Sequence, residues 1–288
     1  MKYIKYFFQF LIISILFILF KILGYKKASK FGSIIGKKIG KFVRSDEIIL
    51  KNLSYITQYS NKDLENRDLI VNQVYANYGR ILSEYVFLKQ FKKGSLSKFV
   101  TIEGKDYLED IKLNNKRVVF VSGHFNNFEL MAMFIDAVGI NLTAIYRPLN
   151  NIFLNKIIEH IRHKYICKNQ IKKGKRGTRK LLNYLKKNFS VALMIDQRVS
   201  EGIKCNFFGK PAFTTTIPAQ IIRKYDCDIV PVHIERYDEI KFRLTVDKPI
   251  KFKDNLSIEE ITLELNKILE RMILKNPSQW ILTHNRWK

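Results

Sequence analysis

From residue 99 onward, apolar runs of five to seven residues alternate with longer stretches of helical periodicity. The strand-like runs are 99–103, 117–122, 142–146, 191–195, 229–235 and 242–247. Helical patterns fill about 105–113, 127–138, 151–166, 176–187, 216–225 and 257–275, with two more at 46–59 and 64–91. Short apolar strands alternating with helices predict an α/β fold, a largely parallel central sheet flanked by helices. No linker, repeat or low-complexity stretch interrupts the chain after Asp46, so 46–288 reads as one domain. Ligands of such sheets sit beyond the carboxyl ends of the strands, which directs attention to the loops after 122, 146 and 195.

The N-terminus is different in kind. Residues 6–20 contain no charge, and extension through Lys21 to Tyr25 reaches the roughly 20 residues needed to cross a bilayer. Gly24, Tyr25, Lys26 and Lys27 follow, not a small-x-small cleavage site, so an uncleaved transmembrane or signal-anchor helix over 1–25 is favoured over a cleaved signal. Positive charge is heavier after the run than before it, which places the main body in the cytoplasm. Residues 26–45 then read as a basic amphipathic helix in which Gly32, Gly36 and Gly40 form a ridge of small residues. Two uses fit it: resting on anionic headgroups, or packing closely on the domain through the glycines.

Fifty-one basic residues against 26 acidic ones give a net charge of +25, and nearly all the excess lies in two places. Residues 1–45 hold ten basic residues and no acidic one, and 160–195 hold eleven and none. Anionic partners are implied for both. Nucleic acid is disfavoured as that partner, because no RRM signature, zinc finger or recognition-helix pattern is present. Cys167, Cys205 and Cys227 are too widely spaced for a CxxC site and read as reduced thiols. The five histidines show no metal-binding spacing, and no metal or other cofactor is expected.

The sharpest chemical signal is Val121-Ser122-Gly123-His124-Phe125-Asn126-Asn127-Phe128-Glu129-Leu130. An apolar strand ends at Ser122, Gly123 permits a tight turn, and a helix begins near Asn127. His124 thus falls in a turn at a strand's carboxyl end. In a continuous helix His124 and Glu129 would be ~140° apart. With His124 still in the turn, Glu129 could approach the ring, fix its tautomer and stabilise an imidazolium. A capping box formed by Asn126 and Glu129 explains the carboxylate equally well without chemistry.

This block resembles the HX4(D/E) block of the lipid A late acyltransferases, and further blocks resemble that family in order. They are Tyr146-Arg147-Pro148 with Asn151 and Arg162, Asp196-Gln197, Phe207-Phe208-Gly209-Lys210-Pro211-Ala212-Phe213-Thr214, and Gln279-Trp280 with His284-Asn285-Arg286-Trp287. Arg198 departs from the pattern, standing where the family often has an acidic residue. The resemblance implies a membrane-anchored O-acyltransferase with no cofactor. Its acyl donor would be the thioester of acyl carrier protein, and its acceptor a hydroxyl of a phosphorylated glycolipid, a lipid A precursor of the Kdo-lipid IVA type. A glycerophospholipid or phosphatidylinositol-glycoside acceptor is the alternative.

His124 would be the general base, oriented by Glu129 or by Asp196. Tyr146, Arg147, Arg162, Gln197 and Arg286 would bind substrate. The resemblance also implies the cytoplasmic face of the inner membrane, with anionic phospholipid beneath the anchor. The basic stretch at 162–187 would meet the carrier protein or the acceptor's phosphates.

Overall fold

The computed structural model describes residues 2–60 and 66–288, so the first two positions of the helix expected from 64 lie outside the described residues. The chain opens with α1 (Lys2–Val43), α2 (Asp46–Ser60) and α3 (Arg67–Glu84). A single 3-10 turn (Tyr85–Phe87) leads into α4 (Leu88–Lys92). Then follow β1 (Val100–Glu103), α5 (Lys105–Leu113), β2 (Val118–Ser122), α6 (Glu129–Ala137), β3 (Leu142–Tyr146) and α7 (Ile152–Ile161), which continues as a π turn (Arg162–Ile166). Next come β4 (Asn169–Lys172), α8 (Lys175–Lys186), β5 (Ser190–Met194), and a separate hairpin of β6 (Ile203–Phe207) and β7 (Lys210–Thr214). The chain closes with α9 (Ile217–Tyr225), β8 (Asp228–Tyr237), β9 (Lys241–Val246) and α10 (Ile258–Lys275).

The fold is α/β, as the alternation implies. Seven strands form one sheet in the order β1-β9-β8-β2-β5-β3-β4, parallel throughout except where β8 meets β9. All five residues of the central β2 are buried, which is why it reads as an unbroken apolar run. β4 was not expected from the sequence: of Asn169-Gln170-Ile171-Lys172 only Ile171 is apolar and buried. Nor was the β6–β7 hairpin, whose turn residues Phe208 and Gly209 both adopt positive φ, 50° and 71°. The long helix expected over 64–91 is broken at Tyr85–Phe87, and the one expected over 151–166 unwinds at Arg162.

α1 bends at Gly24, whose φ of 72° with ψ of 162° is open only to glycine. Beyond the bend the glycine ridge packs against α3. A Cβ at Gly36 would lie 2.1 Å from the Tyr75 carbonyl oxygen, and one at Gly79 only 1.9 Å from that of Gly32. The ridge therefore serves close packing within the chain, while Lys30, Lys37, Lys38 and Lys41 stay exposed on the other side. Buried polar groups seal the seam: Ser29 Oγ donates to Glu84 Oε1 (2.7 Å) and accepts from Arg80 Nη1 (3.0 Å).

Gly36→Ala is accordingly expected to lift α1 from α3 and cost ~1–3 kcal/mol, as overpacking does. Thermal unfolding in detergent micelles measures it. Ile34→Ala, on the exposed side, should leave the transition nearly unmoved.

Candidate active site

Parallel pairing of β2 with β5 sets Ser122 opposite Met194. Two residues further on, both chains leave the sheet, and the same register brings His124 beside Asp196. The Asp196 carboxylate, fully buried, accepts three hydrogen bonds. The His124 backbone N–H (2.8 Å) and Trp280 Nε1 (2.9 Å) donate to Oδ2, and His124 Nδ1 lies 2.7 Å from Oδ1. An Nδ1–H donated to a carboxylate leaves the lone pair on Nε2. That nitrogen has no hydrogen bond among the described residues. The imidazole is 20% exposed and borders a narrow cleft lined by Tyr78, Ile81, Phe128, Gln279 and Ile281.

Electrostatics follow the geometry. Burial disfavours the imidazolium, but the charge and hydrogen bond of Asp196 outweigh it and hold the His124 pKa above its ordinary 6.5. Burial likewise favours a neutral Asp196, yet His124 and Trp280 hold its carboxyl below the usual carboxylate range. His284 differs: burial pushes its pKa down, and its Nε2 accepts the Arg198 backbone N–H (3.0 Å).

Glu129 does not meet His124. Its Oε1 accepts from Arg162 Nε (2.8 Å), Arg162 Nη2 (2.6 Å) and the Tyr85 hydroxyl (2.5 Å). The π turn aims Arg162 at this carboxylate, so of the two acids expected beside His124 only Asp196 is bonded to it. A capping box at Asn126 is also absent. Asn126 sits at φ 40°, its Oδ1 accepting from Arg236 Nε (2.9 Å) and its Nδ2 donating to Gln279 Oε1 (2.6 Å). Arg236 in turn grips Glu84 through Nη1 (2.7 Å) and Nη2 (2.9 Å), and the Asn127 amide donates to the same carboxylate (3.1 Å). The turn carrying His124 is thus tied to α3 and β8 by a buried ion pair.

The other expected site residues divide. Tyr146 and Arg147 end β3 at the same edge of the sheet, two strands or about 10 Å from β2. The Tyr146 hydroxyl donates to Glu159 (2.9 Å) and its ring lies 5.6 Å from the Arg162 guanidinium. Arg147 is exposed and has no side-chain partner among the described residues. Gln197, half-buried after Asp196, likewise makes no side-chain hydrogen bond among them.

Arg286, expected at the substrate, is turned to the protein's own groups. It is fully buried, donating from Nη1 to the Phe213 carbonyl and from Nη2 to Thr214 Oγ1, both at 2.6 Å, and burial pushes its pKa down to about 10. It fastens the C-terminal segment to β7. Trp280 was missed as a site residue, as were Glu84 and Arg236. Trp280 sits in an aromatic cluster with Phe207 and Trp287, at 6.1 and 6.4 Å between ring centres.

A carboxylate-held imidazole with a free nitrogen, set at the strand ends of a parallel sheet, is an arrangement that can accept a proton from a neighbouring group. The chain belongs to the bacterial lipid A biosynthesis acyltransferases, whose family pattern it matches over residues 1–288. It is 22% identical over 262 residues to the lipid A biosynthesis palmitoleoyltransferase of Escherichia coli (strain K12), covering 89% of this chain and 83% of that protein. It is 24% identical over 264 residues to lipid A biosynthesis acyltransferase 2 of Shigella flexneri, covering 88% and 80%.

With His124 as the general base, which must be neutral to act, kcat/KM is expected to fall as pH drops through the raised His124 pKa. In Asp196→Asn the charge is gone and this acid limb should move to lower pH, with kcat reduced roughly 10²–10⁴-fold. The sign for stability is opposite. The contribution of protonated His124 is full below its unfolded pKa and is lost as pH rises through the folded one. pH–rate profiles of the two proteins and their unfolding at several pH values check both.

Proposed function

We propose that this enzyme transfers a fatty acyl chain from the thioester of acyl carrier protein to a hydroxyl of a lipid A precursor of the Kdo-lipid IVA type, with His124 as general base. The observation carrying the mechanism is the pair of bonds from His124 to the buried Asp196, which leaves Nε2 toward the cleft. The acceptor O–H proton passes to Nε2 as its oxygen attacks the thioester carbonyl. Collapse of the tetrahedral intermediate breaks the C–S bond, and the departing thiolate recovers the proton from the imidazolium. Asp196 stabilises the imidazolium between the two steps. Glu129 and Tyr146 fix Arg162 beside the same turn, where it serves the substrate's polar groups.

Arg147 is assigned to a phosphate of the acceptor. It is exposed, unpaired among the described residues and at the correct end of the sheet, and a guanidinium offers fixed paired donors to anionic oxygens. The cytoplasmic leaflet of the inner membrane is the proposed location. That leaflet is anionic, each nearby basic residue gains ~1 kcal/mol there, and the first 45 residues hold ten such residues with no acid. The Arg162–Lys187 stretch, equally free of acids, suits the acidic carrier protein.

His124→Ala should abolish acyl transfer from acyl carrier protein thioesters while the protein remains folded and membrane-bound. Retained turnover would remove His124 from the chemistry. Mass spectrometry of lipids from a deletion strain tests the acceptor: lipid A species should lose one acyl chain, and a change confined to glycerophospholipids would replace it. Arg147→Ala should raise KM for the acceptor about 10-fold or more, with kcat little changed, since a charged hydrogen bond is worth ~1.5–3 kcal/mol.

A further inference from the structure

The half of α1 before Gly24 does not stand away from the body. One stripe turns inward: Tyr6, Phe10, Ile13 and Phe17 are half-buried and Phe20 is buried, at three- and four-residue steps. Contacts hold it at both ends. Near its start, Asn151 Nδ2 donates to the Tyr6 carbonyl (2.8 Å) and to Gln9 Oε1 (3.3 Å), and Phe7 and Phe10 pack on Phe153 at 5.7 and 5.9 Å. Near its end, Phe20 joins the core and Tyr25 packs against Phe87, Phe91 and Phe99. The fourteen helical steps from Tyr6 to Phe20 cover ~21 Å. α7 therefore lies at whatever depth Tyr6 and Gln9 occupy.

The opposite stripe is open. Ile4, Phe8, Ile12, Ile15, Ile18 and Ile22 are 59–78% exposed. α7 and the loop before it extend this surface with Leu149, Ile152 and Ile157, all more than a third exposed. Lys2, Lys5, Lys21 and Lys156 are exposed around it. An apolar face with a cationic border fits one occupant, a leaflet with anionic headgroups.

We infer that the first half of α1 lies lengthwise along a single leaflet and that α7 sinks beside it, the two helices forming one continuous membrane-seating face. α7 is about 15 Å long and runs from Asn151, bonded to α1, to the turn where Arg162 holds Glu129. The seat thus reaches the edge of the active site. On the function proposed above, an acceptor anchored in that leaflet meets the cleft without leaving the lipid.

The test uses the full chain added to preformed sealed vesicles of phosphatidylglycerol and phosphatidylethanolamine, and measures no turnover, so its outcome is independent of the role of His124. Nitrobenzoxadiazole attached at Ile12→Cys, Ile152→Cys or Ile157→Cys should shift to the blue and be quenched by lipids carrying a doxyl group on the acyl chain. The three native cysteines are buried, and label at Lys180→Cys on α8 should remain unquenched. A membrane-impermeant maleimide added outside should also reach Tyr3→Cys. Quenching at Ile12 with the α7 labels left in water would overturn the inference, as would protection of Tyr3→Cys until the vesicles are lysed.

Discussion

The turn that carries His124 is arranged around one buried carboxylate, that of Asp196. Isolated in the interior, the Asp196 carboxylate would cost several kcal/mol. It is stable because N–H donors arrive from two directions, the β2 turn and Trp280. The backbone bond from His124 sets the turn, and the ring bond sets the tautomer. The contact from Trp280 brings in the aromatic cluster with Phe207 and Trp287. Removing any donor leaves the charge under-satisfied, so the course of the chain and the orientation of the imidazole share one constraint.

A second buried ion pair, Glu84 with Arg236, performs the complementary task. It satisfies Ser29 on α1, Asn127 on the turn and, through Arg236, the Asn126 side chain. One carboxylate thus connects the membrane-proximal helix to the loop that carries the imidazole. Bidentate guanidinium–carboxylate geometry suits this role because its directionality fixes orientation as well as distance.

Much of the architecture was legible because buried parallel strands declare themselves as short apolar runs, as β2, β3, β5 and β8 do, while β9 shows the alternation of a half-buried strand. β4 was invisible because an edge strand with one buried side chain has no apolar period. The hairpin turn was obscured because Phe208 occupies a conformation that usually signals glycine or asparagine. The position of His124 was readable from strand, glycine and turn alone. Its partner was not: Asp196 is 72 residues away and Trp280 156, and only sheet register and tertiary packing bring them together. Glu129, close in sequence, drew attention that belongs to Asp196, because proximity along the chain says nothing about which way a helix's first turn faces. The burial of Arg286 against β7 was hidden for a related reason: a guanidinium in a recognisable block reads as a ligand contact, and its packing depends on the hairpin.

The lateness of the Trp280–Asp196 bond bears on biogenesis. α1, with its apolar stripe, is synthesised well before the indole of Trp280 that completes the carboxylate's set of donors. During translation the nascent chain can settle on lipid while its imidazole is still loosely held. A product truncated before Trp280 would keep its apolar stripe while the Asp196 carboxylate lacked one of its three donors.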